Sequence, residues 1–340
     1  MLVIFIIYSL VAYNQVIKGT ILDKDTKSAI YSAAVYINGT FAGTLSDQNG
    51  NFQLDISKYV SMPVTISAIG YYSVSLTNFS TAKPLLIYLS PKLFELNEVV
   101  VKAKSHASER KVNLAIFKNE FLGTTSNSMY CKILNEDDIK FIYDSENDTV
   151  KAYALKPILI DNKALGYKIT YYLDKFEYYK QNSSFFFKGN IFFKEDSTTK
   201  EATRQVFERK RKHAYLGSRM HFFRALWSDD LNSTGFAIRN STNETITYNQ
   251  IVSQKDTHTK YLRYAGNLGI SYYTKKPTSF IVFLKKDIYF DASGYFDSGI
   301  SWEGEMARQR IADLLPFEYS VKEYDKMIYR IGRAGSKCKC

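Results

Sequence analysis

The chain is poor in the residues that staple or activate small domains. Its 340 residues include three cysteines, four histidines, two tryptophans and six prolines. Three cysteines make a poor disulfide framework. Cys338 and Cys340 stand one Lys apart in the ending GRAGSKCKC, and Cys131 lies far upstream, so the spacing builds no four-ligand zinc site. Free thiols, or a bridge from Cys131 to Cys338 or Cys340, are both open. The sequence also lacks a GxSxG elbow, an HExxH pair, a glycine-rich phosphate loop and a CxxC motif. Those gaps leave open a Ser/His arrangement assembled from distant loops.

Long apolar runs are equally scarce. MLVIFIIYSLVA, residues 1–12, has the length of a signal-peptide core and is too short to span a bilayer alone. No Lys or Arg precedes it, which leaves open whether Met1 is the true start. No cysteine follows it closely, so a lipoprotein anchor is not indicated. We expect a signal peptide over residues 1–15, cleavage near Tyr13 to Gln15, and an exported protein of the periplasm or outer-membrane-associated cell envelope. A buried first strand is the competing reading.

What is abundant is aromatic and basic. The 27 Tyr and 23 Phe favour strands and a β-rich core. The net charge of +11 is uneven: eight lysines against six acidic residues leave +2 between Lys18 and Lys104, and the other +9 follows. A basic second part suits anionic headgroups or acidic glycans, and export makes nucleic acid a poor partner.

From residue 16 short strand-type runs recur: VIKGTIL, AAVYING, TFAGTL, NFQLDI, VSMPVTISAIGYYSVSL, PLLIYLSP and LNEVVVKAK. Asn38-Gly39 is a hairpin signal, and Gly70 breaks the fifth run. In NFQLDI, Phe52, Leu54 and Ile56 share a face opposite Gln53 and Asp55. Some seven strands without helical period predict a small antiparallel sandwich. In the turn SDQNG, Asp47 and Asn49 bond nearby backbone and Gly50 takes a positive φ. Two oxygen ligands fall short of what calcium needs, so we expect no metal there.

These same residues carry a resemblance. IKGTILDKDTKSAIYSAAVYING, GTLSDQNGNFQLDIS and VTISAIGYYS resemble the carboxypeptidase-like regulatory domain, a transthyretin-like sandwich, in the version common in exported Bacteroidetes proteins. The likeness covers residues 16–103 and implies a non-catalytic β-sandwich, because peptidases of that name keep catalysis in a separate zinc domain. LNEVVV resembles the segment that follows this module in outer-membrane nutrient receptors. Only 236 residues follow Lys104 and they include helical stretches, so we expect no large receptor barrel among them.

KSHASERKVN, residues 104–113, reads as a linker, and residues 114–330 as a larger β-rich α+β domain with a few helices, ending in a basic tail, 331–340. LAIFKNEFLG predicts a helix with Leu114, Phe117 and Phe121 on one side and Gly123 as its stop. IKFIYD, TVKAYA and YKITYYLDKFEYY predict strands, and SFFFKGNIFFKED continues them with a turn at Gly189-Asn190. GFAIRN, ETITYNQIV, NLGISYYT and TSFIVFLKKDIYFD predict further ladders. GEMARQRIADLLP predicts a short helix with Met306, Ile311 and Leu314 or Leu315 inward. EFLGTTSNSMYCKILNEDDIKFIYD, PILIDNKALGYKITYYLDKFE and RKHAYLGSRMHFFRAL resemble a layout in exported Bacteroidetes proteins that carry the same leading sandwich, a likeness that supplies no residue roles.

The segment TKEATRQVFERKRKHAYLGSRMHFFRALW concentrates charge. Arg204, Arg209, Lys210, Arg211, Lys212, Arg219 and Arg224 place seven cations in twenty-one positions. Thr203 to Ala214 predicts one helix; Ser218 caps a second through Trp227, with Phe222, Ala225 and Leu226 inward. The cations are either a solvated helix face or an anion-binding surface. His213 and His221, eight residues apart, are weak catalytic candidates, with Arg219 and Arg224 as oxyanion holders. His106 and His258 stand outside any motif. Asp291, Asp297, Glu303 and Glu305 match no calcium loop. We expect no cofactor and no metal. The sequence thus favours a non-enzymatic exported scaffold or binding module for an envelope protein or anionic glycan. A hydrolase acting on envelope polymers is the alternative.

Overall fold

A computed structural model describes residues 15–92 and 106–321, apart from 60, 78, 155, 198, 199, 257 and 258. The signal run, the LNEVVV segment, Lys104 and Ser105 of the linker, His258, the tail and Cys338 and Cys340 lie outside the described residues. The chain divides into two compact units, residues 1–38 with 42–95, and 39–41 with 96–340.

The first unit is a mainly β sandwich of seven strands. They are β1 (Val16–Asp23), β2 (Ala34–Ile37), β3 (Gly43–Leu45), β4 (Asn51–Asp55), β5 (Val64–Ser67), β6 (Val74–Leu76) and β7 (Leu85–Leu89). One sheet runs β4-β1-β7 and the other β3-β2-β5-β6. The alternation in β4 is realised: Phe52 and Leu54 are buried, with Gln53 and Asp55 exposed. One expectation needs correcting. The sandwich is not wholly antiparallel, because β7 pairs β1 in parallel, Gly19 opposite Leu85 and Ile21 opposite Ile87. The chain crosses through the other sheet between these two strands, so β7 can return in the direction of β1.

Asp side chains close the turns. Asp47 Oδ1 accepts the amides of Asn49 (2.9 Å) and Asn51 (2.8 Å), and Gly50 takes φ +77°. Asp23 Oδ1 accepts the amides of Asp25 and Thr26, both at 2.8 Å, while its Oδ2 accepts the Tyr71 hydroxyl at 2.8 Å. These hydrogen bonds hold the Asp23 carboxyl below its usual range.

The second unit is mixed β and α. Its first part holds α1 (His106–Leu122), β8 (Cys131–Ile133), β9 (Ile139–Asp144), β10 (Thr149–Ala154), β11 (Ile158–Asn162), β12 (Tyr167–Tyr179) and β13 (Ser184–Glu195). β12 is the spine. Its first half pairs β11 and its last residues pair β10 on one edge, while β13 runs along the other. Tyr167, Ile169, Tyr171 and Leu173 point inward, as period-2 patterning requires. α1 begins at His106, so residues 106–113 of the expected linker are its first turns. Asn113, Phe117 and Phe121, spaced by four, are its buried stripe. The Phe117 ring lies 4.7 Å from that of Phe176, and Phe121 lies 4.9 Å from Tyr171.

The expected turn at Gly189-Asn190 is not there. Gly189 sits inside β13 opposite Leu173, beside a bulge between Leu173 and Lys175. A Cβ on Gly189 would lie 2.3 Å from the Tyr172 carbonyl oxygen. The glycine therefore marks a close backbone approach within the ladder rather than a reversal.

The remaining elements are α2 (Glu201–Tyr215), α3 (Arg219–Trp227), α4 (Leu231–Thr234), β14 (Phe236–Arg239), α5 (Tyr248–Ile251), β15 (Val252–Asp256), β16 (Thr259–Leu262), β17 (Leu268–Tyr272), β18 (Ser279–Phe283), β19 (Ile288–Phe290) and β20 (Ile300–Gly304). They form a β14-β17-β18-β20 sheet and a β15-β16-β19 sheet, against which α3 packs Phe222 and Phe223. Two expectations change here. ETITYNQIV is not one strand: Thr247 and Gln250 form a capping box that starts α5. The expected helix after Gly304 is instead two 3-10 turns, Glu305–Arg308 and Ile311–Asp313, with Arg310 extended at φ −118°. Met306, Ile311 and Leu315 are buried all the same.

Candidate functional site

The basic segment folds as its apolar pattern requires. α2 ends at Tyr215, and Ser218 Oγ accepts the His221 amide at 3.0 Å to start α3. Gly217 between them has φ +78°, and a Cβ there would lie 2.8 Å from the Tyr272 ring. The break between the helices thus needs glycine both for its dihedral and for space.

The cations do not all gather on one face. Arg211 is buried. Its Nε donates to the Leu165 carbonyl (2.7 Å), its guanidinium also donates to the Gly166 carbonyl, Glu195 and Glu208, and it lies 4.2 Å over the Tyr167 ring. Arg219 donates to the Gln309 carbonyl at 2.8 Å, and burial, with Arg310 nearby, pulls its pKa down to about 10. Arg224 donates to the carbonyls of Ser293 (2.8 Å), Tyr319 (2.7 Å) and Phe317 (3.0 Å). These three arginines tie backbone segments together. Of the other cations, Arg204 is exposed and ion-paired with Glu201, Arg209 is exposed, and Lys210 Nζ sits 4.0 Å over the Tyr130 ring. Arg204, Arg209, Arg211 and Lys212 border an open depression of about 930 Å³, but Glu195, Asp196, Glu201 and Glu208 border it too. Its charges balance in number.

Two cavities flank the Leu216-Gly217 break, and they separate the two histidines. His213 lines one of about 530 Å³ with Thr125, Ser126, Asn127, Gln309 and Asp313. Asp313 is buried; Thr125 Oγ1 donates to both its oxygens (2.9 and 3.0 Å) and Asn127 Nδ2 donates at 2.8 Å. Burial pushes its pKa up, and these donors oppose that rise. Among the described residues His213 makes no hydrogen bond to Asp313. Among the described residues Cys131 is a free thiol, and burial, with Asp313 and Asp161 nearby, pushes its pKa up to about 12. It is therefore not a thiolate at neutral pH.

His221 lines the second cavity, of about 410 Å³, with Tyr215, Arg224, Trp227, Tyr272 and Tyr273. Its Nδ1 accepts the Gly217 amide at 3.1 Å, and its ring meets Tyr215 at 4.7 Å and Phe236 at 5.0 Å. Burial, then the Arg224 charge, pulls its pKa down to about 4, so the imidazole is neutral.

Asp291 and Asp297, two of the four carboxylates that match no calcium loop, bond within their own loop. Asp291 Oδ1 accepts the Ser293 amide (2.8 Å) and hydroxyl (2.5 Å), and Asp297 accepts the Tyr295 hydroxyl at 3.4 Å. Among the described residues no group of three or more His, Cys, Asp or Glu is placed to hold a metal ion, and no helix is long and apolar enough to cross a membrane. Sequence reading missed Thr125, Asn127, Gln309 and Asp313. Thr125 and Asp313 are 188 residues apart, so no local pattern could pair them.

Comparison with known proteins supports the first unit's assignment. Residues 17–101 match the family model of the CarboxypepD_reg-like domain, so the chain carries such a domain at its N-terminal end. No curated protein matches. Among solved structures, a mutant type II cohesin–X-dockerin complex of Acetivibrio cellulolyticus is 19% identical, covering 34% of this chain and 79% of its own, with a TM-score of 0.18. A 9R-lipoxygenase of Cyanothece is 9% identical, covering 66% of this chain and half of its own, also with a TM-score of 0.18. Such low scores carry no argument about fold or function.

Proposed function

We propose that the protein is a non-catalytic exported module of the bacterial cell envelope, of the kind found in Bacteroidetes, in which the leading sandwich is a scaffold and the second unit carries the selective binding surface. The observation that carries this reading is the use of the conspicuous polar groups. Arg211, Arg219 and Arg224 donate to backbone carbonyls, and Asp313 is saturated by Thr125 and Asn127, so these groups stiffen the unit. The partner is an envelope protein or glycan, held without a transmembrane barrel. Because the basic segment's cations are dispersed and matched by carboxylates, glycan contact does not rest on them as a cluster. The test is recovery from envelope fractions on the immobilised full chain. Saturable enrichment of one partner over a charge-matched unrelated protein is expected; equal recovery on both contradicts the proposal.

One observation favours the second reading, a hydrolase of envelope polymers. His213 and Asp313 line one cavity with the Thr125 and Ser126 hydroxyls. Turnover of a peptide, ester or glycan substrate that disappears in His213→Ala would establish it. No turnover across that panel would remove it.

A further inference from the structure

The cavity beside α3 has the construction of a small-molecule site. His221 is 8% exposed, and its Nδ1 is occupied as an acceptor by the Gly217 amide. In the neutral ring the proton therefore sits on Nε2. Among the described residues, Nε2 has no protein hydrogen-bond partner, and the residue lines the cavity. That donor is therefore open to an acceptor brought by a ligand. Arg224 stands one helical turn on, on the same side of α3 and lining the same cavity. Its five N–H groups make three donations to carbonyls, which leaves two.

The rest of the wall is aromatic: Tyr215, Trp227, Tyr272 and Tyr273. Lys212 and Arg224 supply two positive charges and Asp230 one negative. The volume of about 410 Å³ is in the range of small-ligand pockets. We propose that this cavity binds a small apolar monocarboxylate, its aliphatic or aromatic body between the tyrosines and Trp227 and its carboxylate accepting from His221 Nε2 and Arg224. An acid fits better than an alcohol, since a guanidinium and an imidazole N–H line the same cavity and its charged lining residues are positive in excess. This site does not depend on the envelope contact proposed above.

The test uses the full chain, titrated with 4-phenylbutyrate, indole-3-acetate and octanoate, and with 4-phenylbutanol as the neutral control. Calorimetry measures binding, and tryptophan fluorescence reports on Trp227. At least one acid should bind saturably at one site, with the alcohol about tenfold or more weaker. His221→Phe keeps the ring packing and removes the donor; it should weaken acid binding about tenfold or more. Ala292→Trp, at an exposed position on the rim, should block binding and serves as the deciding variant if His221→Phe does not fold. No saturable binding by any of the three acids overturns the proposal. Undiminished acid binding in Ala292→Trp, or in a folded His221→Phe, does so as well.

Discussion

In the first unit, the turn carboxylates work close to home; in the second, polar side chains reach further across the chain. Asp47 bonds amides two and four residues on, and Asp23 those two and three on. Arg224 instead joins carbonyls 69, 93 and 95 residues away, and Asn162 Nδ2 reaches the Ala312 carbonyl across 150. The cores differ in the same sense. Ile17, Ile21, Val35, Ile37, Val64 and Ile66 fill the sandwich, whereas stacked and edge-on Phe and Tyr rings fill the second unit. A compact sandwich with tight turns meets many of its polar groups locally, with a few cross-chain bonds such as Tyr71 to Asp23. A larger unit with irregular connections leaves carbonyls without ladder partners, and long forked arginines meet them.

The largest break in this comparison should come from Arg211→Met. It strands the Leu165 carbonyl, leaves the Gly166 carbonyl with only the Asp196 amide, and frees Glu195 and Glu208; it should cost about 3–5 kcal/mol in urea denaturation. Both tryptophans, Trp227 and Trp302, lie in the second unit, so their fluorescence follows its unfolding.

The next effect is pH-dependent. His221 titrates near 4 in the folded chain and near 6.5 when unfolded, because burial among Tyr215, Phe236 and Tyr272, with Arg224 alongside, disfavours its charge. The unfolded chain therefore binds the extra proton between pH 6.5 and 4. Stability present above pH 6.5 is lost as pH falls to 4, by an amount on the order of 3 kcal/mol. Denaturation across that window should fall less steeply for His221→Phe than for the parent. Equal slopes would contradict the assignment.

Asp47→Ala removes two turn hydrogen bonds at an exposed site in the sandwich and should cost about 1 kcal/mol, read by hydrogen exchange at the Asn49 and Asn51 amides. Arg204→Ala breaks only an exposed ion pair with Glu201 and should change stability by about 0.5 kcal/mol or less.

The same contrast governs what the sequence made legible. The strand alternation in NFQLDI, the SDQNG turn and the Ser218 cap are short-range, and each appears where its pattern placed it. The mainly β sandwich and the β-rich second unit with a few helices follow from such signals. The parallel β1–β7 pair, the continuous β13 through Gly189, and the 3-10 turns after Gly304 depend on distant partners. So do the roles of Arg211 and Arg224. In one dimension they belong to a run of cations; only folding brings Leu165, Ser293 and Tyr319 to them. The cavity at His221 was half legible, for the residue was a candidate but Tyr272 and Tyr273 arrive from β17 and its end.

The most direct measurement compares Arg224→Lys with Arg204→Lys by tryptophan-monitored denaturation, since both changes keep the charge and remove only the fork. If the carbonyl-bound arginines act as struts, Arg224→Lys loses about 2–4 kcal/mol and Arg204→Lys stays within about 0.5 kcal/mol of the parent. Equal stability of the two variants would contradict that role.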